Sequence, residues 1–142
     1  MDYAVSARLL ATVLRPFLPP VQFETLRQMI WVTTEEHEFF RHKVAELAKR
    51  IDQIPAIYAQ DGKGDEAVVY LHYFRGSANY WVTEIDRNYE PRSIEAFGLA
   101  NLFGGVDGAE LGYFDIAKLV RLGFELDLYF EPRTLAQLRA SS

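Results

Sequence analysis

The chain has no cysteine among its 142 residues. That excludes a disulfide framework, a thiolate nucleophile and a zinc site of the finger or ribbon kind, because each needs sulfur. A reducing interior is the simplest setting, and a cytoplasmic location is expected. No uninterrupted apolar run approaches the roughly 20 residues that cross a bilayer. Met1-Asp2-Tyr3 has no basic flank of the kind that opens a secretory leader. Histidine is scarce as well, with three in all. His37 and His42 are spaced i to i+5, which turns their imidazoles roughly 140° apart on a helix, so the segment is no zincin. His72 has no serine or cysteine elbow beside it, which disfavours triad chemistry. Gly104-Gly105-Val106-Asp107-Gly108 is followed by no lysine and is not a phosphate-binding loop. No metal site and no cofactor are expected.

Positive charge is short in one part of the chain only. The net charge of −5 arises after residue 55: residues 1–55 balance seven acids with seven bases, whereas residues 56–132 hold thirteen acids and six bases. An acidic surface repels phosphate backbones, so direct nucleic-acid binding is disfavoured.

What is present is apolar. Hydrophobic residues make up 49% of the chain, enough to build the core of one globular domain over residues 1–142. Val5, Leu9, Leu10, Val13, Leu14 and Phe17 recur at helical spacing after Asp2, and Pro16 stops or kinks that helix. Pro20 can open a second helix carrying Phe23, Leu26 and Ile30. Thr33 to Glu36 has capping-box spacing, so a third helix with Phe40, Val44, Leu47, Ala48 and Ile51 can begin there. One long helix from Pro20 to Asp52 is the alternative, and the sequence leaves both open. Pro55 ends the helical part, giving residues 1–53 as helical and 54–135 as sheet-containing.

From Ala67 the period becomes that of strands. Val68 to Phe74 and Tyr80 to Asp86 read as an antiparallel hairpin, Ile94 to Phe103 as a third strand and Glu110 to Phe114 as a fourth. Asp115 caps a short helix with Ile116, Leu119 and Val120, closed by Gly123, and Phe124 to Phe130 reads as a final strand. Gly98 and Gly112, inside strand-like runs, predict a bulge or a close backbone approach. The expected class is α+β: N-terminal helices with a mostly antiparallel sheet of about five strands and one short C-terminal helix. Trp81 is expected in the core, against the helices.

Five blocks carry a resemblance. Ile54-Pro55-Ala56-Ile57-Tyr58-Ala59-Gln60, Thr83-Glu84-Ile85-Asp86, Phe97-Gly98-Leu99, Glu110-Leu111-Gly112-Tyr113-Phe114 and Asp127-Leu128-Tyr129-Phe130-Glu131-Pro132 together resemble the bacterial domain-of-unknown-function family 2958 in order and spacing, over about residues 54–135. The resemblance implies a home on plasmids or other mobile elements and brings no activity with it. The helical part before Ile54 is longer than that family leads one to expect.

Two sets of residues are candidate sites. Glu84 and Asp86 alternate on a strand, which puts both carboxylates on one face roughly 6 to 7 Å apart. With Glu110 or Asp127 on a neighbouring strand they would form an acidic cluster suited to a hard cation or to contact with a basic partner. Solvated acids at a strand end account for the same residues. Tyr3, Trp31 and Phe39 fall off the helical stripes and suggest an interaction surface, including a homodimer contact. The expected function is a non-enzymatic accessory protein of a mobile element acting by protein–protein contact. An acidic anti-defence or antirestriction factor that occupies a host nucleic-acid-binding protein is its sharper form. A small metal-dependent hydrolase using Glu84, Asp86 and Glu110 is the alternative, and a regulatory module of a conjugation or replication apparatus is a third.

Overall fold

Residues 2–32, 35–87 and 93–141 are described by a computed structural model, with the backbone alone at 35–37. They form two units, Met1–Gln53 and Ile54–Ser142.

The first unit is helical. Asp2 caps α1 (Tyr3–Leu9) by accepting the Ala4 N–H at 3.0 Å. Pro16 has no N–H to give to the preceding turn. Accordingly α1 runs into a π-helical turn, Leu10–Leu14, and a 3₁₀ turn, Arg15–Phe17. Pro20 opens α2 (Pro20–Trp31) as expected, and an extended Val32 ends it, so α2 and α3 (Glu35–Gln53) are separate helices. The capping box read at Thr33 lies outside the described residues. Helix α3 packs on α1 and α2, with Val44, Leu47 and Ile51 buried. Arg41 on α3 closes the end of α2: its Nε donates to Ile30 O at 2.7 Å and its Nη to Val32 O at 3.2 Å. A guanidinium suits a helix C-terminus, where carbonyls are left without partners.

The second unit is an antiparallel sheet in the order β5-β4-β3-β2-β6, formed by β2 (Leu71–Arg75), β3 (Ala78–Ile85), β4 (Glu95–Asn101), β5 (Glu110–Asp115) and β6 (Glu125–Leu126). Gly76 at φ +56° makes the tight turn between β2 and β3. A second, two-stranded sheet pairs β1 (Val68–Val69) with β7 (Arg133–Thr134). Asp115 caps α4 (Ile116–Arg121) as expected. On one face Trp81 and Leu99 are buried with Val69, Val106, Phe130 and two residues of α5 (Leu135–Ala140), Leu135 and Leu138. The helix beside Trp81 is therefore α5.

Three expectations change. The strand expected over Phe124 to Phe130 is only Glu125–Leu126, because the Asp127 side chain accepts the Tyr129 N–H at 3.0 Å and turns the chain. The strand expected from Val68 splits, its first two residues pairing with β7 and the remainder with β3. Helix α5 was not expected, although Thr134 and Gln137 form a capping box with both reciprocal hydrogen bonds.

Candidate functional site

The site begins with a bulge. Cross-strand neighbours share a face, and on β3 Val82 pairs with Gly98 whereas Glu84 pairs with Phe97, leaving Thr83 as the extra residue. Gly98 is obligatory there, since a Cβ would sit 1.8 Å from Trp81 O. Gly112 meets the other expectation of neither kind: a Cβ would find nothing within 4 Å, and β4 and β5 pair without interruption around it. The extra residue carries Glu84 onto the face of Trp81, Phe97 and Tyr113.

Residues 54–67 lie over that face. The Ile85 N–H donates to Pro55 O at 3.0 Å. Tyr58 takes the left-handed conformation at φ +77°, which costs a non-glycine residue about 1 kcal/mol or more. Its N–H donates to Glu84 Oε1 at 2.7 Å. Gln60 is buried and ties the segment down: its Nε2 donates to Val68 O and Thr83 O, each at 2.9 Å, and its Oε1 accepts the Val68 N–H at 2.6 Å.

Between this segment and the sheet is a cleft of ≈490 Å³, a volume typical of small-ligand sites. Ile57, Phe97, Leu111 and Leu135 supply apolar lining, and Glu84, Thr83, Asp61 and the two tyrosines Tyr58 and Tyr113 supply polar groups. A neighbouring hollow shares Tyr58 and Tyr113 and is lined by Asp86 and Glu95. Among the described residues, neither lining includes a lysine, arginine or histidine.

Glu84 is 4% exposed. Its Oε2 lies 2.9 Å from the Thr83 hydroxyl, which is also 3.0 Å from Phe97 O. At the mouth, the Tyr113 hydroxyl donates to the Tyr58 hydroxyl at 2.8 Å. Its pKa is pushed up to about 12, first by that hydrogen bond and further by desolvation and by the negative charges of Glu95 and Glu84. Tyr113 is therefore a neutral phenol at physiological pH.

The four candidate acids do not converge. Glu84 and Asp86 share the cleft's face: Glu84 pairs with Phe97, and the Asp86 N–H bonds Glu95 O at 2.9 Å one pair further along. Glu110 pairs with Ala100 and faces the opposite side, with Phe114 and Tyr80. Asp127 follows β6 at the far edge of the sheet and accepts from His72 Nδ1 at 3.0 Å. Among the described residues no three histidines or acids are grouped to hold a metal ion, so the donor set of the hydrolase alternative is not assembled. His72 is a satisfied structural imidazole: it stacks on Trp81 at 5.2 Å and its Nε2 contacts Asn79 Oδ1 at 2.8 Å. The Asp127 carboxyl is held below its ordinary range, first by that His72 hydrogen bond. In the first unit His42 pairs with Glu38 at 3.3 Å.

The other candidate set is on the first unit. Tyr3 meets Trp31 edge to face at 5.1 Å and has the Arg41 guanidinium 5.6 Å from its ring. Trp31 is 68% exposed and Phe39 46% exposed.

Tyr58, Gln60 and Tyr113 carry no functional pattern of their own in the sequence, although four of the five blocks of the resemblance supply lining residues of the cleft. No family model, no curated protein and no solved structure matches the chain. Among the described residues, no helix is long and apolar enough to cross a membrane.

Proposed function

We propose that the protein works by contact, its second unit taking a segment of a partner protein into the cleft beneath Tyr58. The observation that carries this is the cleft itself, an apolar floor with carboxylates and, among the described residues, no cation in its lining, ringed by exposed Tyr58, Leu111 and Tyr113. Exposed aromatic and aliphatic residues around a concave site are typical of recognition surfaces. The acidic lining favours a basic partner, and a nucleic-acid-binding protein is the proposed class, in keeping with an antirestriction or anti-defence role. Membership of domain-of-unknown-function family 2958, and with it a mobile-element origin, is part of the same proposal and rests on the five sequence blocks.

The test is affinity capture from bacterial lysate with the wild type and Leu111→Asp side by side. A protein retained by the wild type, lost with the variant and released by duplex DNA is the expected result. Identical captures by both would remove the cleft from the account.

A further inference from the structure

Glu84 presents an unusual balance of charge. It is almost fully buried, yet its carboxylate is held by two neutral groups, the Tyr58 N–H and the Thr83 hydroxyl. Among the described residues the lining of its cleft holds no lysine, arginine or histidine. Buried carboxylates are ordinarily paired, because a lone charge in a poorly solvated site is costly. Two hydrogen bonds also leave lone pairs on both oxygens, since a carboxylate offers about four acceptor positions.

The surroundings specify what would complete it. The rings of Tyr58, Phe97 and Tyr113 line the cleft, and such walls accept both a methylene stem and the flank of a cation. Asp61 in the same lining, and Asp86 and Glu95 in the adjoining hollow, add carboxylates around the mouth.

We infer that the cleft is a site for a cationic head on an apolar stem, the side chain of a lysine or arginine of the partner protein, with Glu84 as its ion-pairing anchor. This rests on the proposed function and names the chemistry the partner must bring. The stem lies along Phe97 and Leu111, and the head displaces water from the two free lone-pair positions of Glu84. Glu84→Gln is a clean probe: the amide oxygen can still accept the Tyr58 N–H, and the Thr83 hydroxyl can turn to Phe97 O and accept from the new amide nitrogen.

The experiment is an NMR titration of the full chain with n-butylammonium, with its neutral counterpart 1-butanol and with a capped Gly-Lys-Gly peptide, following Tyr58, Phe97 and Tyr113. Saturable shifts with n-butylammonium and with the peptide, at least tenfold weaker with 1-butanol, are expected. Glu84→Gln should abolish the preference for the charged ligand without lowering Tm. Equal binding of 1-butanol overturns the anchor, leaving the contact proposal to its own Leu111→Asp capture. Binding of n-butylammonium but not of the peptide overturns the partner side chain in favour of a free amine. No shift with any of them overturns the site. If Glu84→Gln fails to fold, the wild-type comparison of charged and neutral ligands decides alone.

Discussion

The Tyr58 amide donates to Glu84 Oε1 at 2.7 Å across 26 positions of sequence. That bond joins a left-handed turn residue to a bulged strand. Neither irregularity is favourable alone, and each positions the other around the cleft. The strain at Tyr58 is of the kind that collects at recognition sites.

The close approach at Gly98 gives the sharpest structural prediction. Gly98→Ala should destabilise the protein by about 1–3 kcal/mol or more, because a methyl group would meet the Trp81 carbonyl. Gly112→Ala, with open space around its Cβ, should change stability by less than about 0.5 kcal/mol. Urea melts of the two variants make the comparison.

Trp81→Ala should cost roughly 3–5 kcal/mol, since Trp81 is buried with Leu99 and Leu135 and stacks on His72. A loss under about 1 kcal/mol in the same melts would take it out of the core.

The strands and the helical stripes were legible because their periods survive in the residues themselves. Trp81 and Leu99 fall where alternation places them, and Val44 and Leu47 fall on the buried side of α3. A bulge or close approach at Gly98 was legible, but the strand and residue that bulge were not. Strict alternation sets Glu84 on the face of Val82, and one inserted residue, Thr83, moves it to the face of Trp81. Gly98 and Gly112 gave the same hint, and a strand glycine alone does not say which neighbour it admits or whether it admits one. Glu110 shows the converse limit: its identity is plain, but its face depends on register with Ala100, which no local pattern encodes. Helix α5 lies past the last strand-like run and was legible only in its Thr134 and Gln137 capping box.

The His72–Asp127 pair predicts a pH effect of definite sign. The folded Asp127 carboxyl lies below its ordinary value, so ionised Asp127 contributes stability that is present above the unfolded pKa near about 4 and lost as pH falls through the folded one. Asp127→Asn should lower Tm at pH 7, and the gap from the wild type should narrow below about pH 4. A gap constant from pH 7 to pH 2 would show that the carboxylate's charge does nothing for the fold.

Self-association through the first unit is a separate expectation, based on exposed Trp31 and Phe39. Light scattering at micromolar concentration should give a dimer mass that Trp31→Asp returns to the monomer. A monomer for both proteins contradicts it.

The most direct test of the central claim is photo-crosslinking in the cell. A benzophenone side chain in place of Leu111 stands at the cleft, and one in place of Tyr129 stands on the exposed surface at the opposite edge of the sheet. The account predicts a discrete heavier adduct from position 111, absent from position 129 and lost on adding Glu84→Gln. Adducts of equal yield from both positions, or none from position 111, would contradict it.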